Sequence, residues 1–296
     1  MRKRWLWILA LSLMFASGIY LIDAYLDRDP DDHPLPAANG AVSQVSGISS
    51  HARQIFAAGQ ARGNNARVFV NVGDSITYTW AYLRDFNSDY DLGEYTYLQA
   101  ALDFFTGPNG FGESPFWSEP IAAYAGWTSA DVLTPGHALN EACRDDEAPL
   151  VCEYRINKPA VALIMLGTND AGGGVPVATF TANMQTIIDL SLEQGIIPVI
   201  STIPPMIRRD ETIHAYNDAI RYLAQTNAIP LWDYYAALID LPDRGLSADG
   251  IHPSRAPDKL DAYFDAEHLQ YGFNVRNLGA LQVLAALRIG VNHFSD

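Results

Sequence analysis

Four short runs of apolar residues recur along the sequence, and each has the length of a β-strand. They occupy residues 66–72, 160–166, 196–200 and 229–232. Continuous apolar runs of this kind are typical of strands that are buried on both faces of a parallel sheet. The sequence therefore predicts a sheet whose strands lie in the core of the protein.

Three longer segments carry apolar residues at helical spacing. They are residues 179–193, 212–225 and 277–289, and the first contains Phe180, Met184 and Ile187 on one face. Strands that alternate with helices indicate a parallel sheet with helices on both faces. We therefore predict an α/β fold, with a doubly wound, mostly parallel sheet flanked by helices in three layers.

Two segments do not fit this alternation. Residues 86–120 are rich in Tyr, Phe, Gly and Pro, and residues 134–158 contain two cysteines and an acidic cluster. We interpret both as insertions at the rim of the sheet. Ligands bind at the carboxyl ends of the strands in doubly wound folds, so insertions there are expected to shape a substrate site.

The N-terminal segment has the pattern of an export signal. Arg2, Lys3 and Arg4 precede a nearly continuous apolar stretch at residues 5–22. Such a stretch is a cleaved signal peptide or, at this length, an uncleaved membrane anchor. Residues 1–26 are assigned to one of these two, and the basic residues predict that the rest of the chain lies outside the cytoplasm. The protein is thus expected to be secreted or membrane-anchored.

A linker and one large domain are expected to follow. Residues 27–39 contain three prolines and four aspartates without a calcium-loop pattern, so residues 27–47 are predicted to be a flexible linker. The remaining residues, 48–296, are enough for one α/β domain with a substantial core. The formal net charge of −15 argues against partners such as nucleic acid or anionic headgroups.

The cysteines and histidines show no metal-binding pattern. Cys143 and Cys152 are the two cysteines of the chain, and an even count in an exported protein favours a disulfide. A thiol nucleophile or a zinc site would need a motif that neither cysteine has. We expect no metal and no cofactor, and we interpret histidines such as His268 as surface or packing residues.

Four short motifs carry candidate chemistry, although each has an ordinary structural explanation. Ser75 lies in GDSI, where a helix is expected to begin after the first strand, and a helix cap is the alternative. Gly126 lies in AYAGW and Asn169 lies in GTND, where ordinary turns are the alternatives. In DGIHP, Asp249 precedes His252 by three residues, so its carboxylate can orient the imidazole.

Taken together and in this order, the motifs resemble the SGNH family, also called GDSL esterases and lipases. The resemblance covers about residues 67–287, with Ile76 where the family name has leucine. It implies a hydrolase domain of SGNH or flavodoxin-like architecture. It also implies catalysis by Ser75, His252 and Asp249, with an oxyanion hole formed by Ser75, Gly126 and Asn169.

The substrate is expected to be a carboxylic ester. An acidic protein outside the cell suits neutral small-molecule or polysaccharide esters, such as O-acetyl groups on carbohydrate or short-chain acyl esters. Tyr78 and Trp127 are candidate substrate-binding residues, with core packing as the alternative. Two other functions remain open: an O-acyltransferase that uses sugar hydroxyls, and a non-catalytic carbohydrate-binding module on the same fold.

Overall fold

The computed structural model describes residues 45–292, and the side chains at its C-terminal end are described as far as Arg288. The leader expected at residues 1–26 and most of the linker expected at residues 27–47 lie outside the described residues. Within the described range, no helix has the length and hydrophobicity needed to cross a bilayer.

A five-stranded sheet forms the centre of the domain. Its strands are β1 (Val45–Ser46), β2 (Asn65–Gly73), β3 (Pro159–Met165), β4 (Ile197–Ser201) and β5 (Leu231–Trp232). The order is β1-β5-β4-β3-β2, and only β1 pairs antiparallel with its neighbour. Every residue of β3 is buried, so both faces of the sheet are covered there.

The four predicted strands are confirmed, with small shifts at their ends. β5 begins at Leu231 rather than at residue 229, and Pro230, which has no N–H, donates no ladder hydrogen bond. The carbonyl of Pro230 nevertheless accepts a 3.1 Å hydrogen bond from the N–H of Ile200. The sequence did not predict β1, whose two residues were assigned to the flexible linker at residues 27–47, because two residues are too few to show an alternating pattern.

Eight α-helices of the described chain surround the sheet. They are α1 (Ser50–Ala61), α2 (Gln99–Phe104), α3 (Pro149–Asn157), α4 (Thr168–Gly173), α5 (Val177–Glu193), α6 (Asp210–Thr226), α7 (Tyr234–Leu238) and α8 (Gly272–Asn292). The three predicted helices correspond to α5, α6 and α8. In α5, the predicted Phe180, Met184 and Ile187 are fully buried, which explains why the periodicity identified the helix.

The position of the site follows from the way the chain leaves β2. Gly73, the last residue of β2, pairs with Met165 of β3 and also forms a parallel bridge with Ala123. The N–H of Gly73 donates to the carbonyl of Ala122 at 3.1 Å on this second side. The chain therefore continues first on one side of β2 and then on the other. This arrangement makes the carboxyl end of β2 a topological switch point, where doubly wound folds bind ligands.

The two segments interpreted as insertions have different structures. The first contains short 3₁₀ helices and α2, and its Phe116 packs edge-to-face on Phe69 of β2, with ring centroids 5.0 Å apart. The second contains α3, which the sequence did not predict and which leads directly into β3. The disulfide Cys143–Cys152, which ties α3 to the preceding loop, confirms the predicted pairing.

Candidate active site

Ser75 lies in a tight turn directly after β2. The carbonyl of Asp74 accepts hydrogen bonds from the N–H groups of Thr77 at 3.0 Å and Tyr78 at 2.7 Å. A Cβ on Gly73 would come within 2.2 Å of Thr77 Oγ1, so only glycine fits before this turn. The expected helix does not form, because the N–H of Thr79 donates to the carbonyl of Thr77 at 3.0 Å and does not continue a helical ladder.

A chain of two hydrogen bonds joins Ser75, His252 and Asp249. Ser75 Oγ lies 2.9 Å from His252 Nε2, and His252 Nδ1 lies 2.7 Å from Asp249 Oδ2. The serine and the histidine are 177 residues apart in sequence, so the fold alone brings them together. This geometry can remove the hydroxyl proton and stabilise the imidazolium that results.

Asp249 is held as an anion by donors that converge on its second oxygen. Oδ1 accepts hydrogen bonds from the N–H groups of Ile251 at 2.8 Å and His252 at 2.9 Å, and from Ser247 Oγ at 2.8 Å. Partial burial would raise the pKa of Asp249. The backbone hydrogen bonds, together with the contacts with His252 and Ser247, outweigh it and hold the pKa well below its usual range.

Gly126 and Asn169 are connected through Trp127. Gly126 is exposed and has a φ of +83°, a conformation that favours glycine. Asn169 Nδ2 donates one hydrogen to the carbonyl of Trp127 at 2.9 Å, which orients the amide and leaves its second N–H available. Among the described residues, no hydrogen bond uses the N–H of Ser75 or of Gly126. These three donors are therefore free to bind another acceptor.

Asp170 ties the Asn169 segment to the chain after Gly126. Its carboxylate accepts hydrogen bonds from the Ser129 N–H at 2.9 Å and the Ser129 hydroxyl at 2.6 Å. Ser129 Oγ in turn accepts a 3.0 Å hydrogen bond from Asn183 Nδ2 of α5. Burial raises the pKa of Asp170, although the Ser129 hydrogen bonds oppose it. Through Ser129, the segment that carries Gly126 and the segment that carries Asn169 are thus both connected to α5.

A buried arginine supports the turn that carries Ser75. Arg276 of α8 is 1% exposed, donates to the carbonyl of Ile76 and to Thr77 Oγ1, and covers the ring of Tyr82 at 3.8 Å. Asp74 is also fully buried, and its burial raises its pKa to about 6 against the opposing effects of the Ile76 N–H, Arg276 and His252. The role of Arg276 was not predicted, because nothing in the local sequence marks a residue that lies 200 positions from its partner.

A second buried acid supports the segment before Gly126. Glu153 of α3 accepts hydrogen bonds from the N–H groups of Ile121 and Ala122, and from Asn157 Nδ2. Burial raises the pKa of Glu153 to about 7, and these three hydrogen bonds oppose the increase. The role of Glu153 was not predicted from the sequence either. Glu153 holds in place the segment that pairs with Gly73 and leads to Gly126.

The two predicted substrate-binding residues have different environments. Tyr78 is half-buried and donates its phenolic hydrogen to Glu119, whose contact raises the pKa of Tyr78 to about 12. The Trp127 indole is 6% exposed and packs near the rings of Tyr124 and His137. Tyr78 therefore lies at the surface next to Ser75, whereas the side chain of Trp127 belongs to the core.

One group of residues in the described chain has the spacing of a metal site. It consists of Cys143, Glu147 and Cys152. The two sulfurs form the disulfide and so provide no thiolate ligand. Glu147 is paired with Arg155 at 2.6 Å, which holds the pKa of the carboxyl below its usual value. These contacts indicate that Cys143, Glu147 and Cys152 stabilise the loop.

Comparison with known proteins identifies one family. The model of the GDSL-like lipase/acylhydrolase family matches residues 72–257, which include Ser75, Gly126, Asn169, Asp249 and His252. The comparison with curated proteins finds no match.

Several solved structures resemble the chain at low identity. A GDSL-like lipase from Bacteroides thetaiotaomicron is 15% identical, with a TM-score of 0.45 over 81% of this chain and 98% of its own. The lipase/acylhydrolase from Enterococcus faecalis is 22% identical, with a TM-score of 0.45 over 73% of this chain and 92% of its own. A carbohydrate esterase family 3 protein from Talaromyces cellulolyticus is 20% identical, with a TM-score of 0.45 over 73% and 97%. Similarity at this level carries no argument about substrate.

Proposed function

The chain belongs to the GDSL-like lipase/acylhydrolase family and is a carboxylic ester hydrolase, and we propose that it cleaves neutral esters with Ser75 as its nucleophile. The observation that carries this proposal is the hydrogen-bonded chain from Ser75 Oγ through His252 to Asp249. The hydroxyl of an isolated serine is a weak nucleophile, and an adjacent base activates it. The match to a lipase/acylhydrolase family supports ester hydrolysis as the reaction that this geometry performs.

In the first half of the proposed reaction, Ser75 Oγ attacks the ester carbonyl and His252 Nε2 accepts the hydroxyl proton. The resulting imidazolium faces the anionic carboxylate of Asp249. The tetrahedral intermediate collapses as His252 returns the proton to the leaving alcohol, which leaves an acyl group on Ser75. In the second half, His252 activates water, which releases the acid and restores the serine.

We assign the oxyanion hole to the backbone N–H groups of Ser75 and Gly126 and to the side-chain amide of Asn169. This assignment is supported by the N–H of Ser75 and Gly126 having no acceptor within the described chain. It is also supported by the hydrogen bond from Asn169 to the Trp127 carbonyl, which fixes the amide before substrate arrives. Preorganised donors of this kind need no rearrangement when the negative charge develops.

Access to water supports hydrolysis over acyl transfer. The His252 side chain is 42% exposed, so solvent can reach the base once the alcohol has left. We further propose that the protein acts outside the cytoplasm. The basic and then apolar N-terminal sequence supports this location, as does a disulfide, which persists in oxidising compartments.

The test is hydrolysis of p-nitrophenyl acetate, butyrate and palmitate by the wild type, Ser75→Ala and Asn169→Ala. Turnover is expected to disappear in Ser75→Ala and to fall by about 100- to 1000-fold in Asn169→Ala. Circular dichroism should show folded protein in both variants. Wild-type turnover in a folded Ser75→Ala would refute the nucleophile, and wild-type turnover in Asn169→Ala would refute the oxyanion assignment.

A further inference from the structure

Two exposed tryptophans form a pair at the surface beside the Ser75 turn. Trp80 is 64% exposed and Trp117 is 44% exposed, and their rings meet edge-to-face with centroids 5.6 Å apart. The guanidinium carbon of Arg84 lies 4.2 Å from the Trp80 ring centroid and 5.7 Å from that of Trp117. The arginine holds both indoles in place through cation–π contacts, and much of their surface remains open to solvent.

Closeness in sequence and the contacts of Tyr78 connect this pair with the proposed nucleophile. Tyr78 lies in the turn that begins at Ser75, and its hydroxyl donates to Glu119, two residues after Trp117. The ring of Tyr78 also lies 5.0 Å from that of Tyr124, which is two residues before Gly126. Tyr78 therefore links the Ser75 turn both to the segment that carries Trp117 and to the segment that leads to Gly126.

We propose that Trp80 and Trp117 form a subsite that binds a sugar ring in the alcohol part of the ester substrate; this inference rests on the function proposed for Ser75. A pyranose has apolar C–H faces and a rim of hydroxyl groups. The open indole surfaces can pack against the C–H faces, because aromatic rings offer a large, rigid apolar surface. Arg84 and Glu119 can bind the hydroxyl groups, because they offer hydrogen-bond donors and acceptors at the edge of the indole surface.

The charges at this surface argue against a lipid chain as its occupant. Sites for long acyl chains are concave and predominantly apolar. Here the aromatic rings are exposed and interrupted by a guanidinium and a carboxylate, whose desolvation by an alkyl chain would be unfavourable. A neutral, hydroxyl-rich ligand leaves both charged groups hydrogen-bonded. It also meets no repulsion from a protein whose formal net charge is −15.

The first experiment measures binding independently of catalysis. Xylotetraose is titrated into the full chain carrying Ser75→Ala, alone and combined with Trp80→Ala or Trp117→Ala, by isothermal calorimetry. Each tryptophan substitution is expected to raise the Kd by about three- to tenfold, the range for loss of one aromatic contact. The matched control is Tyr222→Ala, which removes a 61% exposed aromatic side chain from α6 and should leave the Kd unchanged. Affinity that is undetectable, or equal in all variants, overturns the subsite.

The second experiment separates failure of the subsite from failure of the proposed function. In proteins that retain Ser75, kcat/KM is compared between O-acetylated xylotetraose and ethyl acetate, which has no sugar ring to stack on the tryptophans. Trp80→Ala and Trp117→Ala should lower the ratio of the two values by about three- to tenfold. An active wild type whose ratio is insensitive to both substitutions overturns the subsite. Tryptophan-dependent binding without any turnover overturns the proposed function and supports the subsite.

Discussion

At the scale of single residues, the chain contains the same local arrangement of aspartate and histidine twice. Asp249 and His252 are matched by Asp265 and His268, in which the Nδ1···Oδ2 distance is also 2.7 Å. In both, the second carboxylate oxygen accepts the backbone N–H of the histidine. The difference is the partner of Nε2, which is Ser75 for His252 and Asp258 for His268. Reactivity is therefore decided by what the fold places opposite Nε2.

This pair gives a matched test of the base. His252→Asn should reduce kcat/KM on p-nitrophenyl acetate by about 100- to 10,000-fold, since the general base is lost. His268→Asn removes an imidazole with the same local hydrogen bonds and should retain activity close to that of the wild type. Steady-state kinetics on the two variants decide the question. Equal losses in both would show that His252 has no special role.

His268 should make the stability of the protein depend on pH. Burial alone would lower the pKa of His268, but hydrogen bonds with Asp258 and Asp265 outweigh it and raise the pKa above its usual 6.5. Protonated His268 therefore stabilises the folded state. This stabilisation is fully present below about pH 6.5 and is lost as the pH rises through the raised pKa. Urea unfolding at pH 5.5 and pH 9 should show a larger difference between wild type and His268→Asn at the lower pH. A difference that grows with pH would contradict this account.

At the scale of elements, the sequence predicted the parts whose pattern is local. The strands β2, β3 and β4 were identified because they are buried on both faces and therefore appear in the sequence as continuous apolar runs. The helices α5, α6 and α8 were identified because their apolar residues recur at helical spacing. The resemblance of the motifs to a known family likewise predicted that Ser75, His252 and Asp249 lie together, and hydrogen bonds join them in the structure. What supports these residues could not be predicted, because Arg276 and Glu153 act on backbone groups that are distant in sequence. The contacts of Arg276 with the Ile76 carbonyl and Thr77 Oγ1, which support the Ser75 turn, were equally absent from the local sequence pattern that favoured a helix there.

Glu153 of α3 should position the Gly126 segment. In Glu153→Gln, an amide N–H₂ replaces an oxygen that accepts N–H groups, which leaves a buried donor without an acceptor. The free energy of unfolding should fall by about 1–3 kcal/mol. In addition, kcat should decrease more than KM changes, because the oxyanion donor shifts. Urea unfolding and steady-state kinetics measure the two effects.

The control for this substitution is Glu193→Gln, which removes an exposed carboxylate at the end of α5. It should leave both stability and kcat near the wild-type values. If Glu153→Gln lowers stability while kcat remains unchanged, Glu153 contributes to the core alone and not to the geometry of the site.

At the scale of the whole molecule, the formal net charge of −15 is expected to disfavour anionic substrates. The field of an acidic protein lowers the local concentration of anions around an exposed site and has little effect on neutral molecules. Because His252 and Ser75 lie at an open surface, salt should screen this field effectively. The same charge is consistent with a substrate rich in hydroxyl groups and free of phosphate or carboxylate.

Ionic strength provides the corresponding measurement. For mono-p-nitrophenyl succinate, an anionic ester, kcat/KM should rise by about two- to fivefold between 0.02 and 0.5 M NaCl. For p-nitrophenyl acetate, the neutral reference, it should stay nearly constant. Equal responses of the two esters would mean that the net charge does not influence access to the site.

The central claim, that Ser75 is the nucleophile of this ester hydrolase, is tested most directly by covalent labelling. The protein is treated with an alkyl fluorophosphonate, which phosphonylates activated serines with loss of fluoride, and its peptides are analysed by mass spectrometry. We expect a single adduct on Ser75, loss of esterase activity in proportion to labelling, and no labelling in His252→Asn. An adduct on another residue that accounts for the lost activity, or full activity after complete modification of Ser75, would contradict this claim.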